Sequence, residues 1–130
     1  NCRHHFSVYM EGMTNPYENY DTEENRRAYD LQQRQRALER RIRKTKRETM
    51  GLKAALDNAQ TPGTAATLAE AYNKKAAQLE KQNAAYKNFC AENDLKELQD
   101  RISIARWDRK QAAAARGAAR KYNAKLEEDQ

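Results

Sequence analysis

The sequence predicts an all-α protein: an elongated antiparallel helical hairpin with a third helix or helical tail, packed in coiled-coil fashion. Three observations predict it. Ala, Glu, Lys, Leu and Arg supply 68 of the 130 residues, a composition typical of long helices. One Val, three Ile and two Phe leave little material for a sheet, because strands favour β-branched and aromatic side chains. Apolar residues also recur in steps of three and four over long stretches, the period of a helix with one buried stripe. Leu, Ile, Val and Phe together number only 15. Such scarcity with high charge usually accompanies disorder; here the helix-forming composition argues for thin helices with alanine-rich stripes.

Residues 1–21 read as an aromatic-rich extended segment. Phe6, Tyr9, Tyr17 and Tyr20 cluster there with Gly12 and Pro16, no period of 2 or 3.6 runs through them, and the aromatics suit docking onto a helix. A helical domain over 22–130 comes next, with helices expected at about 22–57, 62–92 and 95–126. Asp21 and Glu24 have the spacing of a capping box, and Glu23 and Glu24 favour the positive helix start. Ala28, Leu31, Gln35, Leu38, Ile42, Thr45, Thr49, Leu52 and Leu56 then form one stripe. Its polar middle, Gln35, Thr45 and Thr49, trades stability for register or partner choice. Gly51 costs roughly 1 kcal/mol in a helix and is a candidate bend. Asp57 to Gly63 is the break, with Thr61 as N-cap and Pro62 at the first helical position. So short a connection favours an antiparallel pair. Leu68, Tyr72, Ala76, Leu79, Tyr86 and Phe89 carry the second stripe. Leu95, Leu98, Ile102, Ala105, Ala112, Ala119, Tyr122 and Leu126 carry the third, and the alanines after Trp107 weaken its packing, so a projecting or frayed tail is expected beyond Gln111.

Several function classes are excluded or disfavoured. No apolar run approaches the ~20 residues a bilayer-spanning helix requires. Asn1 to Tyr9 lack the layout of a signal peptide, so Cys2 and Cys90 are expected to be reduced. Cys2, His4 and His5 are the clustered metal-ligand types, but C-x-H-H matches no common zinc spacing. No phosphate-cradling glycine loop, G-x-S-x-G or H-E-x-x-H occurs, and thin helices offer little concave volume. No catalytic residue, metal site or cofactor is therefore expected. Trp107, beside Arg106 and Arg109, reads as a helix-packing residue before a binding hot spot.

The net charge of +6 conceals strong segregation. Residues 26–47 carry +8 and residues 101–125 carry +7, with acidic segments before, between and after them. Arg36, Arg40, Arg43 and Arg47 occupy i, i+4, i+7 and i+11, which is one helix face. Arg34, Arg41, Lys44 and Lys46 widen it. Such a face suits an acidic protein surface or nucleic-acid phosphates; the competing reading is a solvated face paired with acids of a neighbouring chain. No RNP, helix-turn-helix or zinc-finger pattern occurs, so reading of a base sequence is not expected. The candidate partner-binding residues are Arg36, Arg40, Arg41, Arg43, Lys44 and Arg47.

Asn1-Cys2-Arg3-His4-x-Phe6, then Tyr9, Glu11-Gly12, Tyr17 and Tyr20, resembles a stretch late in tailed-phage minor capsid proteins. Tyr29-x-x-x-Gln33-x-Gln35-Arg36-x-Leu38-Glu39-Arg40-x-Ile42-Arg43-x-x-Lys46-Arg47 resembles the adjoining stretch of those proteins. The family is the phage minor capsid protein 2 family, related in layout to the Mu F-like minor head proteins. The resemblance covers residues 1–47 and continues more loosely through Tyr86, Phe89 and Leu95. It implies a non-catalytic virion component acting in head assembly near the portal, found in the host cytoplasm during assembly. Portal, capsid or scaffold proteins, packaged DNA bound without sequence preference, and further copies of the chain are the implied neighbours. The family's larger upstream region and an initiator Met are both lacking, so a C-terminal fragment is expected. A sequence-independent nucleic-acid-binding helical module is the alternative.

Overall fold

A computed structural model describes residues 8, 10–13 and 21–129. The aromatic-rich segment expected at 1–21, with Cys2, His4 and His5, lies almost wholly outside the described residues. Among the described residues there are four helices: α1 (Thr22–Asp57), α2 (Pro62–Glu92), α3 (Gln99–Ile102) and α4 (Arg109–Glu128). Those residues include no strand, and the protein is all-α.

The helix starts arise from local hydrogen bonding. An isolated helix N-terminus leaves backbone N–H groups without partners, and a short polar side chain supplies the acceptor. Asp21 Oδ1 accepts from the N–H groups of Glu23 and Glu24 at 2.9 and 3.2 Å. Thr61 Oγ1 accepts from Thr64 N–H at 3.2 Å, with Pro62 opening α2. Asp108 Oδ1 accepts from Gln111 N–H at 2.8 Å. Both long helices stop at an asparagine whose side-chain amide turns back onto the last turn: Asn58 Nδ2 donates to Ala54 O at 2.7 Å and Asn93 Nδ2 to Phe89 O at 2.8 Å. α1 continues through Gly51 without a break.

Cross-helix contacts fix the register. Gln35 meets Cys90, Glu39 meets Tyr86 and Glu48 meets Lys75. The numbers rise on α1 as they fall on α2, so the two helices form an antiparallel hairpin. α4 returns along the other side of α2, with Lys125 at Glu70 and Ala115, Ala118 and Ala119 packed against Tyr72, Ala76 and Ala77. α2 is thus the middle helix. The α4 tail is anchored at its alanines, which are as buried as the core of the hairpin.

The single helix expected over 95–126 is corrected by the structure. α2 ends in a Schellman arrangement, with Leu95 N–H donating to Cys90 O at 2.8 Å, Asp94 N–H to Ala91 O at 3.5 Å, and Asp94 at φ 52. That left-handed residue reverses the chain. Only the single turn α3 interrupts an extended connector before a second reversal, where Arg106 has φ 64 and Trp107 N–H donates to Ile104 O at 3.3 Å. The physical reason is coverage. A helix continuing from Leu95 would leave the polar flank of the hairpin open. The bent connector instead lays Leu95 and Ile102 onto Ile42, Leu79 and Tyr86 and brings α4 back onto α2.

Candidate partner-binding surface

Residues 94–108 are held on α1 chiefly by polar side chains reaching backbone groups. Gln35 Nε2 donates to Lys96 O at 2.9 Å, Arg43 to Arg101 O, and Lys46 Nζ to Ile102 O at 2.6 Å. Tyr86 Oη accepts from Leu98 N–H at 2.9 Å and donates to Glu39 Oε1 at 3.3 Å. Glu39 is 2% exposed, with the Arg101 guanidinium 3.8 Å away. The polar middle of the α1 stripe is thereby explained: Gln35 serves the connector, and Thr49 Oγ1 donates to Thr45 O at 2.8 Å within the helix.

These contacts sort the basic stretch of α1 into two groups. Arg36, Arg40, Arg41, Lys44 and Arg47 carry the outward charge, all of them exposed. Arg43 is half-buried and committed to the Arg101 carbonyl. Lys46, expected to widen the basic face, is instead buried, spent on Ile102 and lying 5.6 Å from the centre of the Trp107 ring. Burial pushes its ammonium below the usual lysine range. Lys44 lies 4.0 Å from Glu48, whose other oxygen binds Lys75 at 3.0 Å. Among the described residues, no carboxylate lies within ion-pair distance of Arg36, Arg40, Arg41 or Arg47. Between Asp30 and Glu48 the sole acid of α1 is Glu39, and it is buried. The exposed strip between them is positive without interruption.

Arg101 joins this surface from 58 positions away, which no spacing rule in the sequence could reveal. Arg47 and Met50 also share an open concavity with Ser103, Ile104 and Ala105. The first and second basic stretches therefore meet along the connector. Trp107 packs against both apolar clusters, as a helix-packing residue does.

The remaining chemistry is sparse. Cys90 is a buried thiol, with Gln35 Nε2 3.6 Å from its sulfur. Among the described residues no group of three metal-ligating side chains occurs, and no helix is long and apolar enough to cross a membrane. The expectation of little concave volume is not met. An open concavity of about 440 Å³ lies between α2, the connector and α4, lined by Leu79, Ile102 and Trp107 among others.

A family match decides what the chain is. The profile of the phage minor capsid protein 2 family matches residues 1–91. The chain belongs to that family. No curated relative and no solved structure matches it. Membership in the phage minor capsid protein 2 family makes the chain a structural component of a phage virion, whose neighbours are other virion proteins. The matched region takes in all of α1 and α2 up to Ala91; the connector and α4 lie beyond it.

Proposed function

We propose that this minor capsid protein acts without catalysis in head assembly near the portal, in the host cytoplasm while heads are built. Its helices dock through the buried seam, and Arg36, Arg40, Arg41, Lys44 and Arg47 present positive charge to an acidic neighbour inside the head, while Arg43, expected among them, holds the connector. The observation that carries the reading is the uninterrupted exposed positive strip between Asp30 and Glu48 on a chain of a minor capsid family. Maintaining so many unpaired like charges side by side opposes folding, and a partner of opposite sign offsets that cost.

The test is assembly of heads with the protein present, followed by purification and chemical cross-linking. Incorporation into heads with cross-links to the portal is expected. Replacing Arg36 and Arg40 by Glu is expected to lower incorporation while leaving the fold intact, since both side chains are exposed. Heads that exclude the unaltered protein, or cross-links confined to the capsid shell away from the portal, would sink the reading.

A further inference from the structure

The exposed charge of α1 and the connector has a shape as well as a sign. Arg36, Arg40 and Arg47 span eleven residues, about 16 Å along the helix at ~1.5 Å per residue, with the half-buried Arg43 between them held at the Arg101 carbonyl. Arg101 stands beside Arg43 at the connector, and the half-buried Glu97 and exposed Asp100 are the connector's acids near them. Neither acid pairs with an α1 arginine among the described residues. The rod-like surface is nearly all arginine, whose planar fork matches phosphate oxygens two at a time.

We propose that this surface binds the phosphate backbone of double-stranded DNA without reading its sequence. The proposal rests on the role inside the head proposed for this protein and names the acidic neighbour there. Two observations favour DNA over a protein partner. A protein interface buries an apolar centre from which charge is excluded. Among the described residues the exposed large apolar side chains are Val8, Met10, Met13, Tyr29 and Leu126; of these Tyr29 alone lies on α1, two turns before Arg36, too little to form an apolar centre. Phosphate binding needs no such centre, because release of condensed counterions drives it. The spacing also fits. A strand rises ~3.4 Å along the duplex axis per phosphate while winding around it, so three exposed arginines spread over about 16 Å reach separate phosphates without needing one at every step.

The experiment is fluorescence anisotropy of a labelled duplex of random sequence with the full chain, titrated with salt. Three phosphate contacts, from Arg36, Arg40 and Arg47, give a slope of log affinity against log salt of about −2.7, at ~0.9 per contact. The double variant Arg40→Gln with Arg47→Gln is expected to reduce that slope to about −0.9. Arg116→Gln with Arg120→Gln, on the exposed side of α4, is the control and is expected to leave it unchanged. Circular dichroism confirms that both variants fold, and a second duplex of unrelated sequence is expected to bind equally. Absence of duplex binding at low salt overturns the proposal, as does a slope indifferent to the α1 substitutions. Capture of a polyglutamate peptide in place of DNA, with the same arginine dependence, overturns it in favour of a protein partner. A chain that enters heads but ignores DNA defeats this inference alone, whereas exclusion from heads defeats the reading beneath it.

Discussion

Near the α1–α2 loop, Tyr72, Ala76 and Ala77 meet Ala115, Ala118 and Ala119, with Leu52 and Leu56 of α1 closing the cluster. At the far end of the same hairpin, Ile42, Leu79, Tyr86 and Cys90 surround Ile102 of the connector. Around them run the polar contacts of Gln35, Glu39, Arg43 and Lys46. The first region is three regular helices brought close by small side chains, held by van der Waals contact. In the second, an irregular segment is tied down, and its backbone groups need partners that no neighbouring strand or helix supplies. A chain poor in Leu, Ile and Val thus builds one end of its core from alanine and the other from hydrogen bonds.

Cutting one large side chain from the polar end should cost most. Tyr86 is 1% exposed, and Tyr86→Ala is expected to lose about 3–5 kcal/mol, as truncation of a buried aromatic does. At the alanine end the damaging change is the opposite one. Ala119 is equally buried, and Ala119→Leu is expected to cost about 1–3 kcal/mol by overpacking. Denaturant unfolding monitored by circular dichroism measures both. A harmless Ala119→Leu would show that α4 does not pack closely on α2.

One conservative substitution should have opposite signs at the two ends. Tyr86 Oη bonds both Leu98 and Glu39, so Tyr86→Phe leaves a buried carboxylate and an N–H short of a partner and is expected to cost about 1–3 kcal/mol. Tyr72 Oη is buried with no hydrogen-bond partner among the described residues. Tyr72→Phe removes an unsatisfied group and is expected to be neutral or to stabilise by up to about 1 kcal/mol. Equal losses from the two variants would contradict this contrast between the two ends of the core.

A smaller effect is expected at the chain reversals. Asp94 holds a left-handed conformation that glycine adopts without the clash of a Cβ atom. Asp94→Gly is expected to raise stability by about 0.5 kcal/mol, and Asp94→Val to lower it by about 1 kcal/mol, read as shifts of the denaturation midpoint.

The smallest effect is a pH dependence on the alkaline side. Burial raises the phenols of Tyr72 and Tyr86 above the ordinary tyrosine range. Above the unfolded value of about 10 the unfolded chain releases protons that the folded state retains, so stability falls as pH rises through the folded values. Lys46 acts with the other sign. Its lowered value means that the folded state gives up the proton first, and the cost of burying the charge is relieved as pH climbs toward 10.5. Midpoints measured between about pH 8 and 11 should therefore decline only at the alkaline limit, and less steeply in Tyr72→Phe. A decline beginning near neutral pH would implicate other groups.

The sequence by itself determined the helical class and the start and end of the hairpin. Asp21, Thr61 and Pro62 act on their own nearest neighbours, and the stripe from Leu31 to Leu56 is a local period, so both are written in consecutive residues. It also determined the positive charge of α1. The tertiary structure alone decided that the third segment bends twice, because Arg106 carries no turn signal and Asp94, although aspartate tolerates the left-handed region, reads equally well as the start of the next helix. It alone decided that Glu39 and Lys46 are buried while Arg36, Arg40, Arg41 and Arg47 stay free of ion pairs among the described residues. Burial depends on which segment covers a helix, and the connector that covers α1 lies far along the chain, at separations of 61, 58 and 56 residues in its three anchoring hydrogen bonds. Helix formation is governed by neighbours in the chain; the surface left for a partner is governed by what folds back over it.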